Sequence, residues 1–204
     1  MIQVLKLHDY QKMPWKNGLG FTFEIARQSS LAKDDFDWRV SMADVENDGD
    51  FSYFEGKKRI ISTLSGAGMR LQIAKQSHVD VCARDLFSFD GELAVFCQLI
   101  DGPIRDLNLI YNAQKVRPRM QRMAGCEKQT VLSAAQDILI FNMADQLQIY
   151  IHEKMYHLAA FECLKIANQD ETLKIELPQD TAKDCCFIEL FYSVDVFKNA
   201  KYIA

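Results

Sequence analysis

The chain has few of the residues on which the familiar chemistries are built. Its four histidines (His8, His78, His152 and His157) are scattered through 204 residues, and no His-x-His pair followed by Glu is present to set metal ligands on adjacent inward strand positions. No Ser stands in a Gly-x-Ser-x-Gly turn, no Cys has an evident His partner, and no glycine-rich nucleotide loop occurs. These absences argue against a metal centre, nucleophilic catalysis and nucleotide chemistry, and the expectation is a protein without a cofactor. Positive charge is not in excess either: the net charge is -4 and the pI is near 5.6, so a nucleic-acid partner is not expected. Only RPRMQR (Arg117–Arg122) departs from this, and it reads as a solvated connector. No run approaches the roughly 20 apolar residues that span a bilayer, and the N-terminus lacks the pattern of an export signal. The sequence therefore points to a cytoplasmic protein with no membrane partner. Its six cysteines lack the paired spacing of zinc sites and lie in or beside apolar runs such as AVFCQLI and CCFIELFY, which reads as reduced core thiols.

What is present is ordinary globular material, 49% hydrophobic and 25% charged, arranged with strand periodicity. Short runs of β-branched and aromatic residues, separated by Gly, Asp or Asn turns, succeed one another, while helical periodicity is scarce. The clearest predicted strands are 38–45, 59–64, 69–73, 93–100, 107–111, 138–143, 148–152, 158–166, 173–177 and 187–194. Ten strands with short links imply an all-β antiparallel sandwich or barrel. Gly66-Ala67-Gly68 and Asp90-Gly91 read as hairpin turns, and Asp195–Tyr202 as a short helix covering an edge. The polar stretch 113–128 separates two strand-rich halves, 1–112 and 129–204, which together form one compact unit.

Polar groups concentrate in the first half. By the two-residue period of a strand, Trp38, Val40 and Met42 share one face while Arg39, Ser41 and Ala43 share the other. Arg39 is a planar donor fork suited to a carboxylate, on a face directed either to a barrel lumen or to solvent. In a lumen it would need Glu24 or Asp106 as a partner when no ligand is bound. Asp106 and Asn108 share a face in the same way, able to orient a ligand or to cap a turn. Asn17-Gly18-Leu19-Gly20 lacks the strand-before, helix-after context of a phosphate loop and reads as a turn, with Trp15 and Asn17 as pocket-wall residues. Asp48-Gly49 reads as a turn, and Phe51 and Phe54 as core.

Five motifs in order carry a resemblance: PWKNGLG, WRVSMADV, DGDFSYFEGKKR, LSGAG and GPIRDLN. Together they resemble the HutD/Ves family over roughly residues 12–112. The resemblance implies a cupin-like, duplicated (bicupin) β-barrel with few short helices and a family linked to histidine utilisation and stress response. It also implies a pocket for a small molecule, lined by Trp15, Asn17, Glu24, Arg39, Ser41, Arg59, Asp106 and Asn108, with Phe51 and Ser52 also at motif positions. The leading expectation is metal-independent binding of a small carboxylate metabolite in a regulatory or accessory role. The alternative is a metal-free enzyme in which Glu24 or Asp106 acts as general acid or base, and a third reading is an interaction scaffold whose interior is only core. Convergence of Arg39, Ser41, Asp106 and Asn108 on one cavity separates the first two from the third. A homodimer is left open by the sequence. For the cysteines the expected result is six free thiols on counting under denaturing, non-reducing conditions; a reproducible count of four would contradict the reading.

Overall fold

The computed structural model describes residues 1–15, 20–30, 35–74, 77–169, 171–179 and 183–193. Among them the chain is built from strands. These begin with β1 (Ile2–Leu5), β2 (Gln11–Pro14), β3 (Gly20–Ser29), β4 (Phe36–Val45), β5 (Gly49–Asp50) and β6 (Lys58–Ser65). They continue with β7 (Gly68–Ile73), β8 (Ser77–Cys82), β9 (Leu86–Asp90), β10 (Val95–Leu99), β11 (Ile104–Tyr111), β12 (Val116–Gly125) and β13 (Gln129–Ser133). The last are β14 (Asp137–Asn142), β15 (Gln146–Ile151), β16 (Lys154–Ala159), β17 (Cys163–Ala167), β18 (Leu173–Leu177) and β19 (Lys183–Tyr192). A single 3-10 turn, Leu7–Asp9, is the helical content of the described residues, and none of their helices is long and apolar enough to cross a membrane. The segment 195–202, expected as a helix, lies outside the described residues.

The strands form two compact units, Tyr10–Gln114 and the combination of Met1–Asp9 with Lys115–Ala204. In the first, a six-stranded antiparallel sheet of order β2-β3-β4-β11-β6-β9 faces a four-stranded sheet of order β5-β10-β7-β8. Val45, Ile61, Phe89 and Ile104 from the larger sheet meet Met69, Leu71, Val81, Val95 and Cys97 from the smaller one in a shared core. The second unit repeats the plan with sheets of order β1-β17-β14-β19-β12 and β13-β18-β15-β16. Its interior is closed by aliphatic residues such as Ile138, Ile140, Leu147, Ile149, Leu164 and Ile175, all with essentially no exposed surface. Fourteen polar or charged residues are buried in the described chain. In the second unit they hold one another: Ser133 donates to Glu189 at 2.6 Å, Glu189 pairs with Arg119, and Tyr192 donates to Asp137 at 2.5 Å.

The structure departs from the sequence reading at three places. Residues 113–128, expected as a connector, contain the ten-residue strand β12, whose Val116–Gly125 run pairs with β19. Its three arginines break the apolar alternation, but Pro118 is compatible with an edge strand, and Arg119 and Arg122 are held by Glu189 and Asp184 across the ladder. Residues 2–5 pair with β17, which assigns the N-terminal strand to the unit of the C-terminal half rather than to residues 1–112. The single strand expected over 158–166 is two, β16 and β17, separated by a turn in which Phe161 takes φ +62°. A positive φ at a bulky residue is not written in its side chain.

The hairpin at Gly66–Gly68 does require glycine. Gly68 has φ +125°, and a Cβ there would lie 2.6 Å from the Val81 carbonyl oxygen and 2.9 Å from the Cys82 Cα. Gly102 also has positive φ (+75°) but an open surrounding. Gly68→Ala is therefore expected to lower the free energy of unfolding by at least ~2 kcal/mol, and Gly102→Ala by only about 1 kcal/mol. Urea denaturation of both variants checks this, and equal losses would contradict it.

Candidate functional site

The floor of the site follows from strand alternation. On β4, Trp38, Val40 and Met42 are fully buried on one face, while Arg39, Ser41, Ala43 and Val45 line a cavity on the other. On β11, Leu107 and Leu109 are likewise buried, and Asp106, Asn108 and Ile110 face the same cavity. Register locks the two sets together, with Asp106 opposite Ala43, Asn108 opposite Ser41 and Ile110 opposite Arg39. On the other side of β11, Arg59 of β6 stands opposite Ile110 and Thr63 opposite Asp106. The cavity, open on one side, has a volume of about 680 Å³, large enough for a metabolite.

Arg59 is buried and Arg39 half-buried, and both lie among aromatic rings. The Arg39 guanidinium is 4.9 Å from the Phe36 ring centre and 5.2 Å from that of Phe54. Arg59 lies 4.6 Å from Phe51, 5.0 Å from Phe89 and 5.7 Å from Phe54. Ring faces carry negative quadrupole density, so these contacts offset part of the desolvation of a cation. Arg59 also donates its Nε to the Asn108 side-chain oxygen at 3.4 Å. Burial lowers both guanidinium pKa values, that of Arg59 to about 10, which leaves them charged at neutral pH; Asp106 opposes the shift at Arg59, and Glu24 opposes it at Arg39.

Among the described residues, two polar atoms at this floor have no hydrogen-bond partner. Arg39 Nε is buried without a hydrogen bond, and so is Asp106 Oδ1. A buried donor left unmet costs roughly 1–3 kcal/mol, more for a charged group. Asp106 is pushed up to about 7 by burial, with the Arg59 charge and a backbone hydrogen bond with Ala43 opposing the rise. Cys97 lines the same wall with its thiol raised to about 12, again chiefly by burial, so it is neutral. Among the described residues, no three His, Cys, Asp or Glu side chains are grouped so that they could hold a metal ion.

Of the residues expected in a pocket, Trp15, Arg39, Ser41, Arg59, Asp106 and Asn108 line this cavity. Trp15 is fixed by its indole, which donates to Thr22 Oγ1 at 2.9 Å, and by Gly20, where a Cβ would sit 3.0 Å from its ring. Asn17 lies outside the described residues. Glu24 is not among the lining residues: it is buried beside the site, opposite Ser41, and reaches Arg27 at 3.8 Å. The expected ion pair of Arg39 with Glu24 or Asp106 therefore takes another form, with Glu24 as its neighbouring charge and the Asp106 charge acting on Arg59. Sequence reasoning missed Phe36; Phe51, read as core, does pack against the core cluster, and it and Phe54 also line the cavity beside the arginines. Asp48 lines the rim and accepts the Leu99 amide at 2.8 Å, while Gly49 and Asp50, which also line it, form the short strand β5.

Two sheets enclosing a polar cavity define a cupin-like β protein, and the comparison with known proteins agrees. Among solved structures, a cupin 2 conserved barrel domain protein from Leptotrichia buccalis superposes with a TM-score of 0.56 at 10% identity, over 83% of this chain and 88% of that one, a likeness of fold alone. The HutD family model matches residues 7–187, and the chain belongs to the HutD family. It is 41% identical over 177 residues to an uncharacterized 21.2 kDa protein in the hutC 3′ region of Pseudomonas putida, covering 86% of this chain and 92% of that one. The structure of HutD from Pseudomonas fluorescens in a formate condition has a TM-score of 0.84 and 36% identity, covering 95% of this chain and all of that chain.

Asp106 makes the stability of the fold depend on pH with a definite sign. Its folded pKa lies above that of an unfolded carboxyl group, so its contribution is fully present below about pH 4 and is lost as pH rises through about 7. Asp106→Asn should therefore gain stability relative to the parent between those limits, by up to ~4 kcal/mol. Chemical denaturation at a series of pH values reads the difference, and parallel curves for the two proteins would contradict it.

Proposed function

We propose that this protein binds a small carboxylate metabolite, without a metal, in the cavity of its Tyr10–Gln114 unit, and serves in a regulatory or accessory role of the HutD/Ves type in the cytoplasm. The observation that carries the reading is Arg39: a half-buried guanidinium held against two rings in the wall of a cavity, its Nε buried with no hydrogen-bond partner among the described residues. A planar fork in that state is suited to a ligand oxygen, and a carboxylate supplies two. Arg59 adds a second positive charge, while Asn108, Ser41 and Trp15 complete a wall of polar and aromatic groups. The relative from Pseudomonas putida lies in a hutC region and the neighbour of known structure is a HutD, which supports a role beside histidine utilisation.

A second reading has one observation in its favour. Asp106, pushed up to about 7, has the pKa of a general acid or base at neutral pH. Its neighbour Arg59, which pulls that pKa down, favours an electrostatic role over a catalytic one. A thermal-shift screen of small carboxylates, including urocanate and formylated amino acids, separates ligand from bystander, since a ligand at a hundred times its Kd stabilises by about 2.7 kcal/mol. Turnover of the stabilising compound would favour the enzyme.

Arg39→Lys keeps the charge and loses the fork. It is expected to weaken the carboxylate found in the screen by about 1.5–3 kcal/mol while leaving the fold intact. Calorimetric titration of both proteins decides it: equal affinities would remove Arg39 from the site.

A further inference from the structure

The arginines account for an anion in the cavity, but they do not account for Asp106. A carboxylate in the wall of an anion site is a liability, and this one is buried. Asp106 of β11 is opposite Ala43, which lies four residues along β4 from Arg39, about 13 Å of strand, and Thr63 stands on its other side. Two of the donors beside it are committed elsewhere. The Thr63 hydroxyl donates to the Val81 carbonyl at 3.1 Å, and the Arg59 Nε goes to Asn108. Asp106 Oδ1 is left buried and unmatched.

The charges facing Asp106 can be followed element by element. From β4 come Arg39 and Asp44, the latter already in a two-bonded pair with Arg105 (2.6 and 3.0 Å). From β6 comes Arg59, from β10 the thiol of Cys97, and from β3 Glu24, which faces Arg39. Asp48 and Asp50 stand at the rim. No histidine is among the lining residues described. An ionised Asp106 would oppose the two guanidiniums of the floor and repel an anion; a neutral Asp106 leaves both free of that opposition and offers an O–H donor instead.

We infer that Asp106 is the proton-bearing member of the site: as the neutral acid it donates from its buried carboxyl to an oxygen of the bound anion, so the anion binds together with a proton held on Asp106. No bond to carbon changes; the O–H proton stays on Asp106 and is shared through a hydrogen bond. The inference rests on the carboxylate-binding reading above and adds a specificity element to it. The site then prefers anions that present an acceptor oxygen to the Asp106 end, and its affinity falls as the solution becomes alkaline. The raised proton affinity of Asp106 supports the same conclusion independently of any ligand.

Formate, the smallest carboxylate, is the probe, titrated calorimetrically into the whole chain and into Asp106→Asn between pH 5.5 and 8.5, a range in which formate stays ionised. The expected result is an affinity for the parent protein that falls about tenfold per pH unit once pH exceeds about 7. The Asn variant, whose amide can donate but not ionise, should show a flat profile and should bind formate on the order of tenfold more tightly than the parent at pH 8.5. Binding by the parent with a flat profile, or one that strengthens with pH, overturns the inference and leaves the carboxylate reading standing. Failure of formate to bind either protein at any pH overturns both. Should the variant not fold, the carbon-13 shift of the Asp106 carboxyl in the parent protein decides the matter. Formate should hold the protonated form to higher pH, and an ionised Asp106 in the formate complex at pH 7 would overturn the inference.

Discussion

A guanidinium taken out of water loses hydration worth many times the net stability of a small protein, so every buried arginine must be compensated by its surroundings. Arg59, which is buried, and Arg39, half-buried with its Nε enclosed, share one cavity here, and much of the unit from Tyr10 to Gln114 serves as their compensation. Phe36, Phe51, Phe54 and Phe89 present rings to the two cations. Asn108 accepts from Arg59, and Glu24 sets the negative charge neighbouring Arg39. The compensation is incomplete at Arg39 Nε and Asp106 Oδ1. An interior selected only for stability would close those gaps with apolar volume or with a matched partner. Leaving them open is what a binding site requires, since the ligand then supplies the missing interaction.

The second unit gives an internal contrast. It has the same plan of two antiparallel sheets, yet its core is aliphatic, and its buried Glu189 is satisfied by Ser133 and Arg119. The difference lies in which residues occupy the inward positions of the strands, not in how the strands are arranged. Where the alternation places Ile138 and Ile140 inward, the interior fills; where it places Arg39, Ser41, Asp106 and Asn108 inward, a cavity remains.

That alternation also decides what could be read in advance. The period of two gave the faces of β4 and β11 directly, because Trp38-x-Val40-x-Met42 and Leu107-x-Leu109 leave no doubt about which side is core. The five family motifs located the site within residues 12–112, and six of its expected residues line the cavity. Long-range pairing was beyond reach: nothing in Ile2–Leu5 specifies β17 as its neighbour, and β12 carries three arginines whose partners, Glu189 and Asp184 among them, are remote in sequence. Glu24 keeps its register opposite Ser41, just before a bulge at Ile25, and reaches Arg27 instead of lining the cavity, a choice that leaves no mark in composition. That Phe51 and Phe54 also line the cavity was not legible, because an aromatic against a buried guanidinium and an aromatic against a leucine have the same local sequence. Phe36, which precedes the strand as it was predicted, was missed for lack of any such signal.

The central claim is that the unmatched Arg39 Nε waits for an oxygen of a bound anion. It is tested most directly by following the arginine Nε–Hε resonances while a carboxylate is titrated into the isotope-labelled protein. The account predicts that the Arg39 Hε resonance moves strongly downfield on binding, as a new charge-assisted hydrogen bond forms, while the Arg70 and Arg105 signals, already paired with Asp80 and Asp44, stay in place. A saturable binding event that leaves the Arg39 resonance unmoved would contradict it.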